Sequence, residues 1–282
     1  FTSDPGFSAG MLGISLTAIV LLHTDKLILS RIVSLEEFGV YAVGQALAAS
    51  LNTIVLPVFN ATYPRLCELI ARSDESGLGT FYRSVTQLMS ALVVPVMCML
   101  VLFPGAILGA WTGNLELSRD AAPVLALLAA GTGLNALMYP AYGLQLARGN
   151  THIALRTNLM LCLLVIPGTA MLASRYGSVG AAAVWPIANS IYVGIGIPWT
   201  YRACLKSRAW PGFYRALASQ QGPTLVIAGV AYAWLPMATQ RISLIFELLL
   251  LGGTLMAVSL ACSPLVRNGW RRRFQRSSMA SS

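Results

Sequence analysis

The chain has 282 residues, of which 56% are hydrophobic and only 10% charged, with a formal net charge of +9 and a mean hydropathy of +0.68. Ordinary soluble domains carry about a quarter charged residues, so this composition excludes a soluble enzyme or binding module and marks an integral membrane protein. A bilayer core of about 30 Å takes about 20 apolar residues per helix, and eight stretches qualify, approximately 8–32, 39–61, 84–109, 121–146, 153–173, 178–201, 222–238 and 242–263. Their long apolar runs, broken by Gly, Pro and short polar turns, fit helices rather than the alternating segments of about ten residues in a barrel. The expected fold is all-α, a polytopic transmembrane bundle of about eight spans.

The first span begins almost directly after FTSDPG, the chain opens on Phe1, and no basic leader with a cleavage site precedes the span. The chain is therefore expected to be the C-terminal part of a longer protein. Inside this span LLHTDKLILS places His23, Asp25 and Lys26 in an apolar run, with Arg31 just beyond. At 1.5 Å per residue Asp25 lies about 27 Å from Phe7 along the helix, in the outer half of the membrane or at its boundary. Two readings stay open there. Lys26 and Arg31 snorkel to headgroups, or Asp25 with His23 or Lys26 lines an aqueous path, since intramembrane ionisable groups default to function. Adjacent residues are about 100° apart around a helix, so Asp25 and Lys26 face different neighbours.

The second span carries Gln45 and Asn52, seven apart and on one face, with Pro57 and Asn60 beyond. In the fourth, Asn135, Tyr139 and Tyr142 repeat the pattern beside Pro140; the fifth opens on Arg156, Thr157 and Asn158, and the sixth holds Trp185, Pro186, Asn189 and Tyr192. Amides facing lipid would lack partners. A single asparagine reads best as interhelical glue, about 0.6 kcal/mol per bond on average. Several such faces with helix-breaking prolines read better as a hydrated central cavity, with Gln45, Asn52, Asn135 and Tyr139 converging on one groove. The segment 202–221 is expected to be the longest connection, with Trp210 and Tyr214 suited to an interfacial helix, and WTGNLELSRD at 111–120 to be a turn. Glu247 in the last span is expected to pair with another span.

Connections are short and no soluble domain is expected. No G-x-x-x-x-G-K-[ST], H-E-x-x-H or G-x-S-x-G occurs, so ATP handling, catalysis and cofactors are not expected, and a sugar-chain ligase ranks lowest. The five cysteines (Cys67, Cys98, Cys162, Cys204, Cys262) show no metal or disulfide spacing and read as small apolar fillers. Numbering the sides alternately, fourteen of the nineteen Lys and Arg fall on the side of the N-terminus, which places both ends of the chain in the cytoplasm. The tail GWRRRFQR, with Arg271 at its centre, then anchors at anionic headgroups; nucleic acid is not an expected partner.

Two blocks go beyond hydrophobicity. HTDKLILSRIVSLEEFGVYAVGQALAASLNTIVLPVFNATYPRL, and YGLQLARGNTHIALRTNL followed by IPGTAMLASRYGSVGAAAVWPIANSIYVGIGIP, resemble the second lobe of bacterial polysaccharide (O-antigen) flippases of the MOP superfamily, relatives of the MATE drug exporters, over roughly residues 10–205. The resemblance implies a six-helix second lobe over 1–205, with 206–282 adding a basic linker, a two-helix hairpin outside the lobe and a basic tail. It further implies an alternating-access transporter in the bacterial inner membrane, serving lipopolysaccharide or other surface-polysaccharide biosynthesis. This would carry an undecaprenyl-pyrophosphate-linked oligosaccharide from the cytoplasmic to the external leaflet. Implied partners are membrane lipids, a first lobe from the same chain and the polysaccharide polymerase machinery. A cavity for sugar and pyrophosphate needs amides, aromatics and cations, which Asn52, Asn135, Tyr139, Asn189 and Lys26 or Arg31 provide. A MATE-like drug or cation antiporter, or a non-transporting assembly subunit, are the alternatives.

Overall fold

The computed structural model describes residues 5–207, 209–235 and 240–264. Ten helices follow in order among them: α1 (Pro5–Ile32), α2 (Leu35–Ala49), α3 (Asn52–Ala71), α4 (Glu75–Leu102), α5 (Pro104–Thr112), α6 (Leu115–Ala136), α7 (Tyr139–Ala147), α8 (Thr151–Cys204), α9 (Trp210–Trp234) and α10 (Arg241–Cys262). No strand occurs among the described residues. The fold is an all-α polytopic bundle, and among the described residues six helical stretches are long and apolar enough to cross a membrane.

Those six resolve into more crossings because one of them folds back. At 1.5 Å per residue the 54 residues of α8 would extend about 81 Å. Instead, the chain reverses at Gly177 (φ 60°, ψ −142°), and the two ends of α8 meet. The Asn150 amide reaches Cys204 Sγ at 3.6 Å, and Arg148 Nε donates to the Cys204 carbonyl at 3.1 Å. The turn carries its own cap, because Glu37 at the start of α2 accepts from the Ser178 N–H at 2.6 Å, at the N-terminus of the second arm where a negative group is favoured. Gly177 occupies a backbone region open essentially to glycine alone, and a Cβ there would sit 2.0 Å from Glu37 Oε1. Gly177→Ala is expected to cost about 1–3 kcal/mol, measured as a lower unfolding midpoint in detergent; an unchanged midpoint would show that the turn relaxes freely.

Two other stretches of membrane-spanning length are broken part-way along. Between α2 and α3 the bonds tighten to i→i+3, with Leu51 N donating to the Ala48 carbonyl at 3.3 Å and Ile54 N to the Leu51 carbonyl at 3.1 Å, while Pro57 removes the donor that would have satisfied the Thr53 carbonyl. Between α6 and α7, Met138 N donates to the Asn135 carbonyl at 2.9 Å and Pro140 follows. Freed backbone groups at such depth are tolerated where protein covers them.

α4 and the α6–α7 span are the most buried, and α1 and α10 the least. α1 packs chiefly on α8, α6 on α8 and α2, and α9 and α10 on α4, with α10 also against α5. Exposed Leu16, Leu27, Leu163, Phe246 and Leu249 belong to the lipid-facing rim. At one end Arg148 pairs with Glu75, and Asp74 caps α4; the Gly77 N–H and the Ser76 hydroxyl hold the Asp74 carboxyl below the usual range. At the other, Arg241 donates to the carbonyls of Ala110 and Trp111, each at 3.0 Å.

Two expected connections are helix instead. α9 starts at Trp210, so only a short link separates it from α8, and Gln220 and Gln221 lie inside a helix. Likewise 115–120 forms the first turns of α6, capped by Asn114, whose side chain accepts from the N–H groups of Glu116 and Leu117. The polar character of 115–120 belongs to a helix end, and that of Gln220 and Gln221 to a buried helix interior. Arg208 and the tail with Arg267, Arg271, Arg272, Arg273 and Arg276 lie outside the described residues.

Candidate functional site

Asp25 is the ionisable group with the most elaborate surroundings. It is half-buried on α1, and its Oδ2 accepts from the Tyr41 hydroxyl at 2.6 Å and from Gln45 Nε2 at 3.0 Å. Oδ1 accepts from the Lys26 backbone N–H at 2.8 Å. Tyr41 and Gln45 are four apart, hence stacked on one face of α2. α1 otherwise touches α2 sparsely, so this carboxylate is the polar tie between them. Lys26 turns away and donates Nζ to the Leu22 carbonyl of its own helix at 3.0 Å. His23 and Arg31 are exposed on α1.

The asparagines form a second, separate group. Asn135 Nδ2 donates to Asn189 Oδ1 at 2.8 Å, and Asn189 Nδ2 to the Trp185 carbonyl at 2.9 Å; Asn189 is 0% exposed. One turn away Trp185 Nε1 donates to Thr132 Oγ1 at 3.2 Å. These bonds join α6 to the second arm of α8.

Tyr139 belongs to a third group. Phe59 stacks on Tyr63 and Tyr142 with ring centroids 5.5 and 5.9 Å away, and meets Tyr139 edge-on at 5.9 Å. The cluster spans α3 and α7, and it packs beside Ile14 of α1. Asn52 lies half-buried at the first residue of α3. The structure thus brings Gln45 to Asp25 and Asn135 to Asn189, and sets Tyr139 among aromatics. It does not gather Gln45, Asn52, Asn135 and Tyr139 by direct contact into one polar cluster. Phe59, Tyr63 and Tyr41 are missed by a search for polar intramembrane groups, although their aromatic rings at helical spacing are the signal that would find them.

Further buried polar contacts join Gln145 to Thr200 at 2.7 Å, and Gln221 to both Ser90 at 3.3 Å and Ser259 at 2.9 Å. Among the described residues no three His, Cys, Asp or Glu side chains gather where a metal could sit. Chemically, a half-buried carboxylate held by a hydroxyl and an amide can bind a cation or a proton, and flat aromatic faces can stack on sugar rings.

No curated protein matches the chain as a relative. Residues 4–114 match the family model described as polysaccharide biosynthesis protein, and this stretch, less than half of the chain, contains α1 to α5 with Asp25, Tyr41, Gln45, Phe59 and Tyr63. Over that stretch the chain is similar to a family of polysaccharide biosynthesis proteins.

Proposed function

We propose that this membrane protein is a flippase of surface-polysaccharide biosynthesis. It moves a lipid-linked oligosaccharide, of the undecaprenyl-pyrophosphate class, from the cytoplasmic to the external leaflet of the bacterial inner membrane by alternating access. The observation that carries the reading is that the family match covers the helices bearing the Asp25 tie and half of the aromatic cluster. A first lobe of six helices from the same protein works against this one, as the resemblance to O-antigen flippases implies, and the polymerase machinery takes the product. It has no enzymatic step of its own.

In this reading the end carrying Arg65, Arg72, Arg148 and Lys206 faces the cytoplasm. A reporter fused after Asp74 or Ser207 is expected to read as cytoplasmic and one after Asn114 as external; the reverse result would invert the direction of transport. Depleting the protein in its bacterial host is expected to abolish surface polysaccharide while the lipid-linked precursor accumulates in the inner leaflet. Normal polysaccharide without accumulation would discard the reading. Asp25 is also the feature that a MATE-like cation antiporter would share, and loss of drug efflux with intact polysaccharide would favour that alternative.

A further inference from the structure

We propose that the cavity between α4, the second arm of α8 and the start of α9 binds a glycerophospholipid whose headgroup carries a hydrogen-bond donor, such as ethanolamine or glycerol. The inference stands apart from the transport reading, since none of its residues belongs to the Asp25, Asn135–Asn189 or aromatic groups. The cavity has a volume of about 230 Å³ and is lined by Arg83, Thr86, Gln87, Tyr201, Phe213 and Gln220, among others.

Two groups in it call for a ligand with opposite ends. Arg83 is exposed and forms no ion pair with a carboxylate among the described residues, and a guanidinium offers forked donors that fit phosphate oxygens. Gln220 is 2% exposed. Its Nε2 donates to the Gln87 carbonyl at 3.0 Å, whereas its Oε1 has no donor among the described residues. A buried amide oxygen without a donor is costly, and a ligand that reaches it needs an N–H or O–H. A phosphate bearing an ethanolamine or glycerol terminus supplies both ends; the quaternary ammonium of choline has no N–H to give.

The depth fits a headgroup. Arg83 lies eight residues after Glu75 in α4, about 12 Å along the helix. Trp210 and Tyr214 stand beside the cavity on α9, edge to face at 6.1 Å, with the Tyr214 hydroxyl donating to the Val193 carbonyl at 2.9 Å. Such aromatics mark the level of lipid headgroups. Phe213 and Leu217 form the apolar wall below, and the exposed Leu225 and Val226 continue along α9 as a track for acyl chains.

The test is native mass spectrometry of the full-length protein in detergent, titrated with phosphatidylethanolamine, phosphatidylglycerol and phosphatidylcholine of identical acyl chains. The first two are expected to bind at least about tenfold more tightly than the third. Arg83→Gln, at an exposed position, and Ala216→Trp, which fills the cavity from its rim, are each expected to weaken binding of all three lipids at least about tenfold without lowering the unfolding midpoint of the lipid-free protein. Equal binding of the three lipids overturns the proposal, as does binding unchanged in both variants. Competition by soluble glycerophosphoethanolamine as effective as that of the lipid would also overturn it, making the ligand a free phosphate ester.

Discussion

Asp25→Asn is expected to lower polysaccharide export at least about tenfold, a change worth about 1.4 kcal/mol in the rate-limiting barrier, while the protein inserts and accumulates as before. The variant keeps the shape of the side chain but replaces one of its two accepting oxygens by a donor. In the native arrangement Oδ2 accepts from both Tyr41 and Gln45. An asparagine that turns its oxygen to Tyr41 and Gln45 sets its NH2 against the Lys26 N–H, and one that turns its nitrogen to them sets donor against donor there instead. Tyr41→Phe removes the shorter bond and is expected to be milder in export. Hydrogen bonds to charged groups contribute about 1.5–3 kcal/mol, so it should still lower stability measurably.

Asp25→Leu separates the two roles of the residue. It leaves the Tyr41 hydroxyl without its acceptor at a site 1% exposed, at a cost of about 1–3 kcal/mol. In an Asp25→Leu/Tyr41→Phe cycle that penalty should be largely relieved, because the buried hydroxyl that lost its acceptor is gone too, while Gln45 is only half-buried. If the tie between α1 and α2 were only structural, the double variant would regain export together with stability. If the carboxylate takes part in transport, stability returns and export does not. Export by Asp25→Asn at the native rate would assign Asp25 to the structural role alone.

The division between what was legible in the sequence and what was not follows the range of the physical signal. Span positions are local, because apolar length decides them: the first six stretches lie within or across the observed helices, and 222–238 and 242–263 overlap α9 and α10. The reversal inside α8 was legible too, since RYGSVG interrupts the run between 153–173 and 178–201 and Gly177 is the residue that turns the chain. Partners were not legible. Asn135 and Asn189 are 54 positions apart, and no spacing within either helix says which face of another span will meet it. The same holds for Asp25, whose acceptor geometry depends on Tyr41, a residue that reads as ordinary apolar filling of α2. By sequence Gln220 and Gln221 close the basic segment 202–221 and so read as part of a connection. Packing of α9 on α4, where the Gln87 carbonyl and the Ser90 hydroxyl accept from their amides, makes them interior residues. The polar groups of the bundle therefore sort into at least four interfaces, and only their presence could be foreseen.

Gly131→Ala is expected to destabilise the bundle by more than the loss of the Asn135–Asn189 hydrogen bond four residues away. Asn135→Ala removes one interhelical bond, about 0.6 kcal/mol on average and at most about 1.7. A Cβ at Gly131 would meet Trp185 Cδ1 at 2.4 Å and the backbone of Trp185 and Pro186 at 2.8 Å. Carbon atoms settle at about 3.5–4.0 Å, so α6 and the second arm of α8 would have to part by on the order of 1 Å. Since Gly131 and Asn135 share one face, as do Trp185 and Asn189, that separation would stretch the 2.8 Å amide bond past the limit of about 3.2 Å. Overpacking costs about 1–3 kcal/mol, to which the lost bond adds. The gain from restricting the unfolded chain, about 0.4–1 kcal/mol for Gly→Ala, is smaller and of opposite sign. A net loss of about 2 kcal/mol is therefore expected, read as the unfolding free energy in detergent. Combining the two substitutions should cost less than their sum, because the first already breaks the bond that the second removes. A Gly131→Ala protein no less stable than Asn135→Ala would show that the helices separate without penalty, and that small residues do not set the spacing of this interface.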